Sequence, residues 1–230
     1  MTVAVSRSSW LGRFKGKHSY WVVLLAILCA FFFAALAPDS SWATSVLVLI
    51  ETATLVLAVR TAGLRVLDTR VLFALVAVGA STAVASFFWH GDDAAATLDL
   101  LTGLITLALM LVIAVGAIRQ GEVNSKSVAG ALCVYILLGM LFQFAYGAIA
   151  GIGDGPLFAQ GTDGTRAIRL YFSFITLTTV GYGDYTPLGK LSRALSASES
   201  LTGGLYLVTV IAVVVSRFSL SAASRARSVE

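Results

Sequence analysis

The sequence predicts an all-α membrane protein with six transmembrane helices plus a re-entrant helix and loop. Three observations carry that prediction. The 230 residues are 58% hydrophobic and 12% charged, with a mean hydropathy of +0.89, far from soluble globular chains. Six stretches approach the ~20 apolar residues that a helix needs to cross a bilayer. The basic residues concentrate in alternate connections, as the positive-inside rule requires.

The six stretches run over about 20–37, 42–60, 71–89, 94–118, 127–149 and 188–218. Between the fifth and sixth, residues 165–178 form a segment too brief to cross. It is expected to re-enter the membrane surrounded by protein, the setting in which such segments are tolerated. With both termini inside, the inner side carries Arg7, Arg13, Lys15, Lys17, Arg60, Arg65, Arg70, Arg119, Lys126, Arg217, Arg225 and Arg227. The outer side keeps Arg166, Arg169, Lys190 and Arg193, twelve against four. Removing one helix scrambles that alternation. The expected location is the cell membrane, multi-pass, with both termini cytoplasmic. The net charge of +4 and pI near 9.3 follow from these loops and tails, so no nucleic-acid partner is expected.

The N-terminal segment interleaves Trp10 and Phe14 with Arg13, Lys15 and Lys17. It reads as an interfacial segment on the inner leaflet or as a flexible basic flank, and is expected to be retained rather than cleaved. Cys29 and Cys133 lie in apolar runs, so buried thiols without a disulfide are expected. Glu51 sits mid-span in the second helix, where an ionised acid costs about 2–4 kcal/mol. Either it is protonated or it faces a wet crevice; a structural acid and a proton sensor are the two roles. His90-Gly91-Asp92-Asp93 is a solvated acidic loop or a weak divalent site. From Leu100 to Ile118 the fourth helix has no charged residue. Residues 147–163, rich in glycine around Pro156, read as an irregular outer loop. No Ser/His or Asp/Asp pair stands at catalytic spacing within the spans, so no enzyme and no catalytic or cofactor-binding residue is expected.

After the re-entrant segment comes Thr178-Thr179-Val180-Gly181-Tyr182-Gly183-Asp184. Gly181 and Gly183 permit backbone angles that a β-carbon resists. Alternating them with Val180 and Tyr182 turns successive carbonyls to one side, and Thr179 adds a hydroxyl oxygen. One such row covers one side of an ion, so a cage needs several copies around an axis.

These residues resemble the selectivity filter of potassium channels, whose four TVGYG loops replace the ion's hydration shell with carbonyl oxygens. Thr179, Val180, Gly181, Tyr182 and Gly183 match at all five positions. The resemblance covers about 128–218 and implies a homotetrameric pore with potassium ions as partner and permeant species, embedded in a lipid bilayer. It divides the chain into a cytoplasmic tail (1–18), a four-helix peripheral domain like a voltage sensor (19–118), and a cytoplasmic linker (119–127). A pore domain (128–218) and a second cytoplasmic tail (219–230) complete the chain.

The resemblance also sets finer expectations. Voltage-sensing relatives carry arginines on the fourth helix, each contributing about 2.3 kcal/mol per 100 mV; this chain has none there, so weak or no voltage dependence is expected. The carboxyl end of the re-entrant pore helix would point at a central cavity and favour a cation there. In some potassium channels a tryptophan on that helix hydrogen-bonds the acid after the filter. Here Tyr171 stands at that position opposite Asp184, and Ile175 replaces an acid found behind the filter in some relatives. Gly203 matches the spacing of a gating hinge, with close packing against the fifth helix as the other reading. Glu199 lies behind the pore helix or faces the cavity, and 208–215 form an apolar wall suited to closure by dewetting. The short C-terminal tail is expected to leave no room for a cytoplasmic regulatory domain. The alternatives are a potassium transporter subunit or a less selective cation channel. Transporters repeat the pore unit four times within one chain and have degraded filters, whereas one unit with an intact filter stands here.

Overall fold

The computed structural model describes residues 20–62, 69–88, 92–119, 125–153, 155–213 and 215–216. The basic N-terminal segment, His90 and Gly91, the polar connection 120–124 and the C-terminal tail lie outside the described residues. So do the side chains of Asp92 and Asp93, and with them the divalent-site reading.

The helices are α1 (Tyr20–Leu36), α2 (Ser41–Ala62), α3 (Thr69–Phe88), α4 (Asp92–Arg119), α5 (Ser125–Ile152), α6 (Arg166–Leu177) and α7 (Lys190–Tyr206). A π-helical turn, Leu207–Ile211, continues α7. Among the described residues, four stretches are long and apolar enough to cross a membrane: Ser41–Ala62, Ala95–Arg119, Ser127–Ile152 and Lys190–Ile211. Six crossings would need α1 and α3 as well. The 17 residues of α1 rise about 25 Å, slightly less than a typical hydrocarbon core.

Two expectations are corrected. α5 runs on to Ile152, so Gly147 is helical rather than part of the outer loop. A β-carbon at Gly147 would lie 2.0 Å from the Asp99 carboxylate, and the glycine therefore makes room for an acid on α4. Cys29 is exposed on α1 while Cys133 is buried, both as free thiols. An apolar run does not say which face of a helix packs, and Cys29 sits on the face of α1 that this chain leaves uncovered.

Five residues join α4 to α5, and so short a connection makes the two helices antiparallel neighbours. They pack along their length, and α1 packs on both α5 and α6. Of the first four helices, α1 and α4 thus make the helix contacts with α5 and α6 among the described residues. α3 is outermost, touching α2 and α4 among the described residues. One buried cluster crosses the whole arrangement, from Ile27 and Leu55 through Ile105 and Leu109 to Leu137, Met140 and Leu170. Phe31 of α1 meets Phe174 of α6 edge to face at 4.9 Å.

Polar contacts pin the helices where lipid offers no alternative partner. Ser45 of α2 bonds Ser86 of α3 at 2.7 Å. Glu51 is buried at 1% exposure and accepts a 2.7 Å hydrogen bond from Thr106 of α4. The void beside it, lined by Ile27, Leu109, Leu137 and Met140, has no room for a water. The wet-crevice reading is therefore replaced by a dry site. The cation whose charge acts on Glu51 is Arg166 of α6, which no inspection of the fourth helix could reveal.

The amino end of α6 is tied to the peripheral helices. Asp39, between α1 and α2, accepts from the Arg166 backbone N–H at 3.2 Å, and the Arg166 guanidinium donates to the Thr44 hydroxyl of α2. Arg169 pairs with Asp99 of α4 at 3.2 Å, both side chains 15% exposed. Truncating one partner of so enclosed a pair leaves an uncompensated charge. Asp99→Ala should lower unfolding stability in detergent by about 3 kcal/mol, whereas Arg60→Ala, at an exposed position, should change it by less than about 0.5 kcal/mol. Thermal unfolding of the two variants checks the contrast.

Candidate cation-conducting filter

α6 starts at a side-chain cap, the Thr165 hydroxyl accepting from the Ile168 N–H at 3.2 Å. Its carboxyl end launches the filter. The Thr178 N–H returns to the Phe174 carbonyl at 3.0 Å and the Thr179 N–H to Thr176 at 2.9 Å. Val180 and Gly181 both donate to the Ile175 carbonyl, at 2.9 and 3.1 Å. These last-turn carbonyls are thus engaged by the filter's own amides, whereas the sequence suggests unpaired groups; their dipoles keep the same direction.

The backbone alternates in handedness. Thr179, Gly181 and Gly183 have φ of 59°, 53° and 80°, while Val180 and Tyr182 stay at negative φ. Such alternation gathers N–H groups on one edge of the chain and leaves carbonyls on the other. The N–H edge faces α6, as the bonds to Ile175 show, so the carbonyl edge faces away from the protein. Glycine meets this demand at little cost, but Thr179 is β-branched and held in a region such residues rarely enter. The glycine pattern points to positive φ at Gly181 and Gly183; nothing in the sequence marks Thr179.

Thr179, Val180, Gly181, Tyr182 and Gly183 form one exposed row, with Val180 52% and Tyr182 72% exposed. The large side chains therefore do not pack within the chain. Behind them lies an open cleft of about 440 Å³ lined by Phe172, Ile175, Thr186 and Ser200 among others.

Past the filter, Tyr171 lies close enough to Asp184 for the carboxylate to act on its phenol. The outer loop clamps the residues after the filter. The Gln160 amide donates to the Asp184 carbonyl at 2.8 Å and accepts from the Thr186 N–H at 3.3 Å. Ala159 donates to the Thr186 carbonyl and Leu188 to that of Leu157, at 2.8 and 2.9 Å. Gln160 is invisible in the sequence, since a lone glutamine in a glycine-rich loop gives no signal.

Gly203 lies against the pore helix rather than the fifth helix. A β-carbon there would stand 2.2 Å from the Leu177 carbonyl oxygen, while one on Gly204 would meet nothing within 4 Å. α7 stays α-helical through both glycines and departs from regularity only in the π-helical turn below. Glu199 is buried behind the pore helix, bonded to Ser173 of α6 and Tyr146 of α5.

A short helix thus hands its carboxyl end to a loop of alternating handedness. Residues 130–219 match the ion channel family. The chain is also 30% identical over 86 residues to the inward rectifier potassium channel Kirbac3.1 of Paramagnetospirillum magnetotacticum. That stretch is 37% of this chain and 28% of the relative, so the chain spans a little over a quarter of the protein it matches. Both similarities are partial, and the first four helices fall outside the matched family segment.

Two variants test the local geometry. Gly203→Ala should abolish conduction or assembly, while Gly204→Ala should leave both near wild type. Single-channel recording of the two alanine variants distinguishes close packing at Gly203 from a hinge shared by both glycines.

Proposed function

We propose that the chain is the subunit of a potassium-selective channel, four copies surrounding a file of ions held by the carbonyls of Thr179 to Gly183. The observation that carries this reading is the alternating backbone of the filter, with its amide edge bonded to the pore helix and its carbonyl edge free. Exposure elsewhere fits an assembly. Val180, Tyr182, Leu191, Leu201, Leu205 and Val208 are exposed in the single chain, and the cleft behind the filter has the position that a neighbour's side chains would fill. A ring of four identical, heterologous contacts closes such a pore. The pore-segment match and the potassium channel relative support the ion's identity.

In this reading the chain crosses the membrane six times with both termini cytoplasmic, as its basic residues favour. Conduction is passive. Each ion exchanges its hydration shell for carbonyl oxygens, and repulsion between neighbouring ions keeps the file moving. The charge-free stretch from Leu100 to Ile118 gives the field little to act upon, so gating is weakly voltage-dependent or not at all.

Purified protein in liposomes should pass potassium and exclude sodium, and Gly181→Ala should collapse that selectivity. Equal sodium permeation by wild-type protein would sink the reading. Planar-bilayer recording should give a conductance–voltage relation carrying less than about one elementary charge, where sensors with arginine-bearing helices carry about 3–4 per subunit.

A further inference from the structure

Resting on the channel reading, we propose that Glu199 is a positioning residue of the filter, working as a neutral carboxylic acid that locks the pore helix between α5 and α7. Three helices meet at this carboxyl, which is fully buried. The Tyr146 hydroxyl of α5 donates to Oε2 at 2.6 Å. On the other side, Oε1 lies 2.5 Å from the Ser173 hydroxyl of α6.

Counting protons fixes the direction of these bonds. The Ser173 oxygen is also 2.7 Å from the Gly139 carbonyl, which accepts only. Serine has one proton. If that proton goes to Gly139, Oε1 must itself carry the proton that joins it to Ser173. The network then runs one way: Tyr146 to Glu199 to Ser173 to the Gly139 carbonyl. Every donor is used once. With an ionised Glu199, one of two short contacts to Ser173 would lack a proton.

The surroundings agree. Among the described residues no basic side chain pairs with Glu199; its partners are the phenol of Tyr146 and the hydroxyl of Ser173. An isolated charge in such a site is strongly disfavoured. The same helices approach closely on either side of the carboxyl. A β-carbon at Gly139 would stand 2.6 Å from the Phe174 ring, and one at Gly203 would stand 2.2 Å from the Leu177 carbonyl. Ser173 is two residues before Ile175, whose carbonyl holds the Val180 and Gly181 amides. The carboxyl therefore sets the depth of the pore helix, and through it the filter backbone.

A primary amide has the shape of a neutral acid, with one accepting and one donating end, so Glu199→Gln separates the protonation states. The full-length protein in liposomes is assayed for potassium-over-sodium permeability and, in parallel, by infrared spectroscopy at neutral pH for the carbonyl stretch of a protonated carboxylic acid. Glu51→Gln serves as the reference for the second buried acid. Glu199→Gln should keep wild-type selectivity and lose that stretch. Glu199→Ala and Ser173→Ala should assemble with selectivity reduced about tenfold, as for one buried hydroxyl left unpaired.

Selectivity lost in Glu199→Gln, an unchanged infrared band, or unaltered selectivity in Glu199→Ala would each overturn the proposal. Should Glu199→Ala fail to assemble, the glutamine variant alone decides. A wild-type protein that passes no potassium defeats the channel reading and the filter role together, while the infrared band still shows whether the acid is neutral.

Discussion

The filter's conformation hangs on one carbonyl. Ile175, near the end of the pore helix, accepts both the Val180 and Gly181 amides, and that pair of bonds commits the chain's donor edge to the protein. A strand with its donors so occupied has its acceptors left over, and only another electropositive partner can use them. Backbone polar groups at membrane depth must be satisfied. On the proposed reading, a dehydrated cation would satisfy the carbonyl edge as the helix satisfies the amide edge. The positive φ at Thr179 belongs to the same constraint, because a residue of ordinary handedness there would turn its neighbour's carbonyl toward α6. Its strain persists because the bonds on both sides over-determine it.

Position of the pore helix is then what the remaining structure has to supply. Glycines at 139 and 203 bring α5 and α7 against it, Glu199 joins all three, and Gln160 with Thr186 closes the outer end. From the periphery, Asp39, Thr44 and Asp99 hold the two arginines of its first turn. Small residues allow close approach and polar pairs fix register, the combination that membrane helices use in place of a hydrophobic drive.

Much of this is legible in the sequence for a simple reason. Long apolar runs and basic flanks report directly on the bilayer, so the helices can be placed within a few residues. The positive φ at Gly181 and Gly183 is legible too, because those glycines answer a local backbone demand. The hidden features depend on distance in the chain. Glu199 can be seen as a buried acid, but Tyr146 lies 53 residues away and Ser173 26. Arg166 and Arg169 read as ordinary outer charges, and only the fold brings them beneath α2 and α4. Gly203 is marked as special by its spacing, yet the surface that crowds it, the Leu177 carbonyl, belongs to a segment that no periodicity ties to α7. The split of the crossings into four ample and two shorter helices is similarly hidden, since hydropathy alone does not say where a helix starts.

The peripheral domain can be understood from the same contacts. A lever for the membrane field needs mobile charge and freedom to slide. α4 has no charge between Leu100 and Ile118, and its antiparallel packing against α5 runs the length of both helices. Sliding α4 by one turn, about 5.4 Å, would pull Asp99 out of the space left by Gly147 and break its pair with Arg169. Both losses would strand a mostly buried charge, beside a cleft of about 500 Å³ that Asp99, Gly147 and Arg169 line. On the channel reading, the domain would then serve as a brace, and a signal reaching the filter through it would act where Asp39, Thr44 and Asp99 meet the arginines rather than through displacement of the fourth helix.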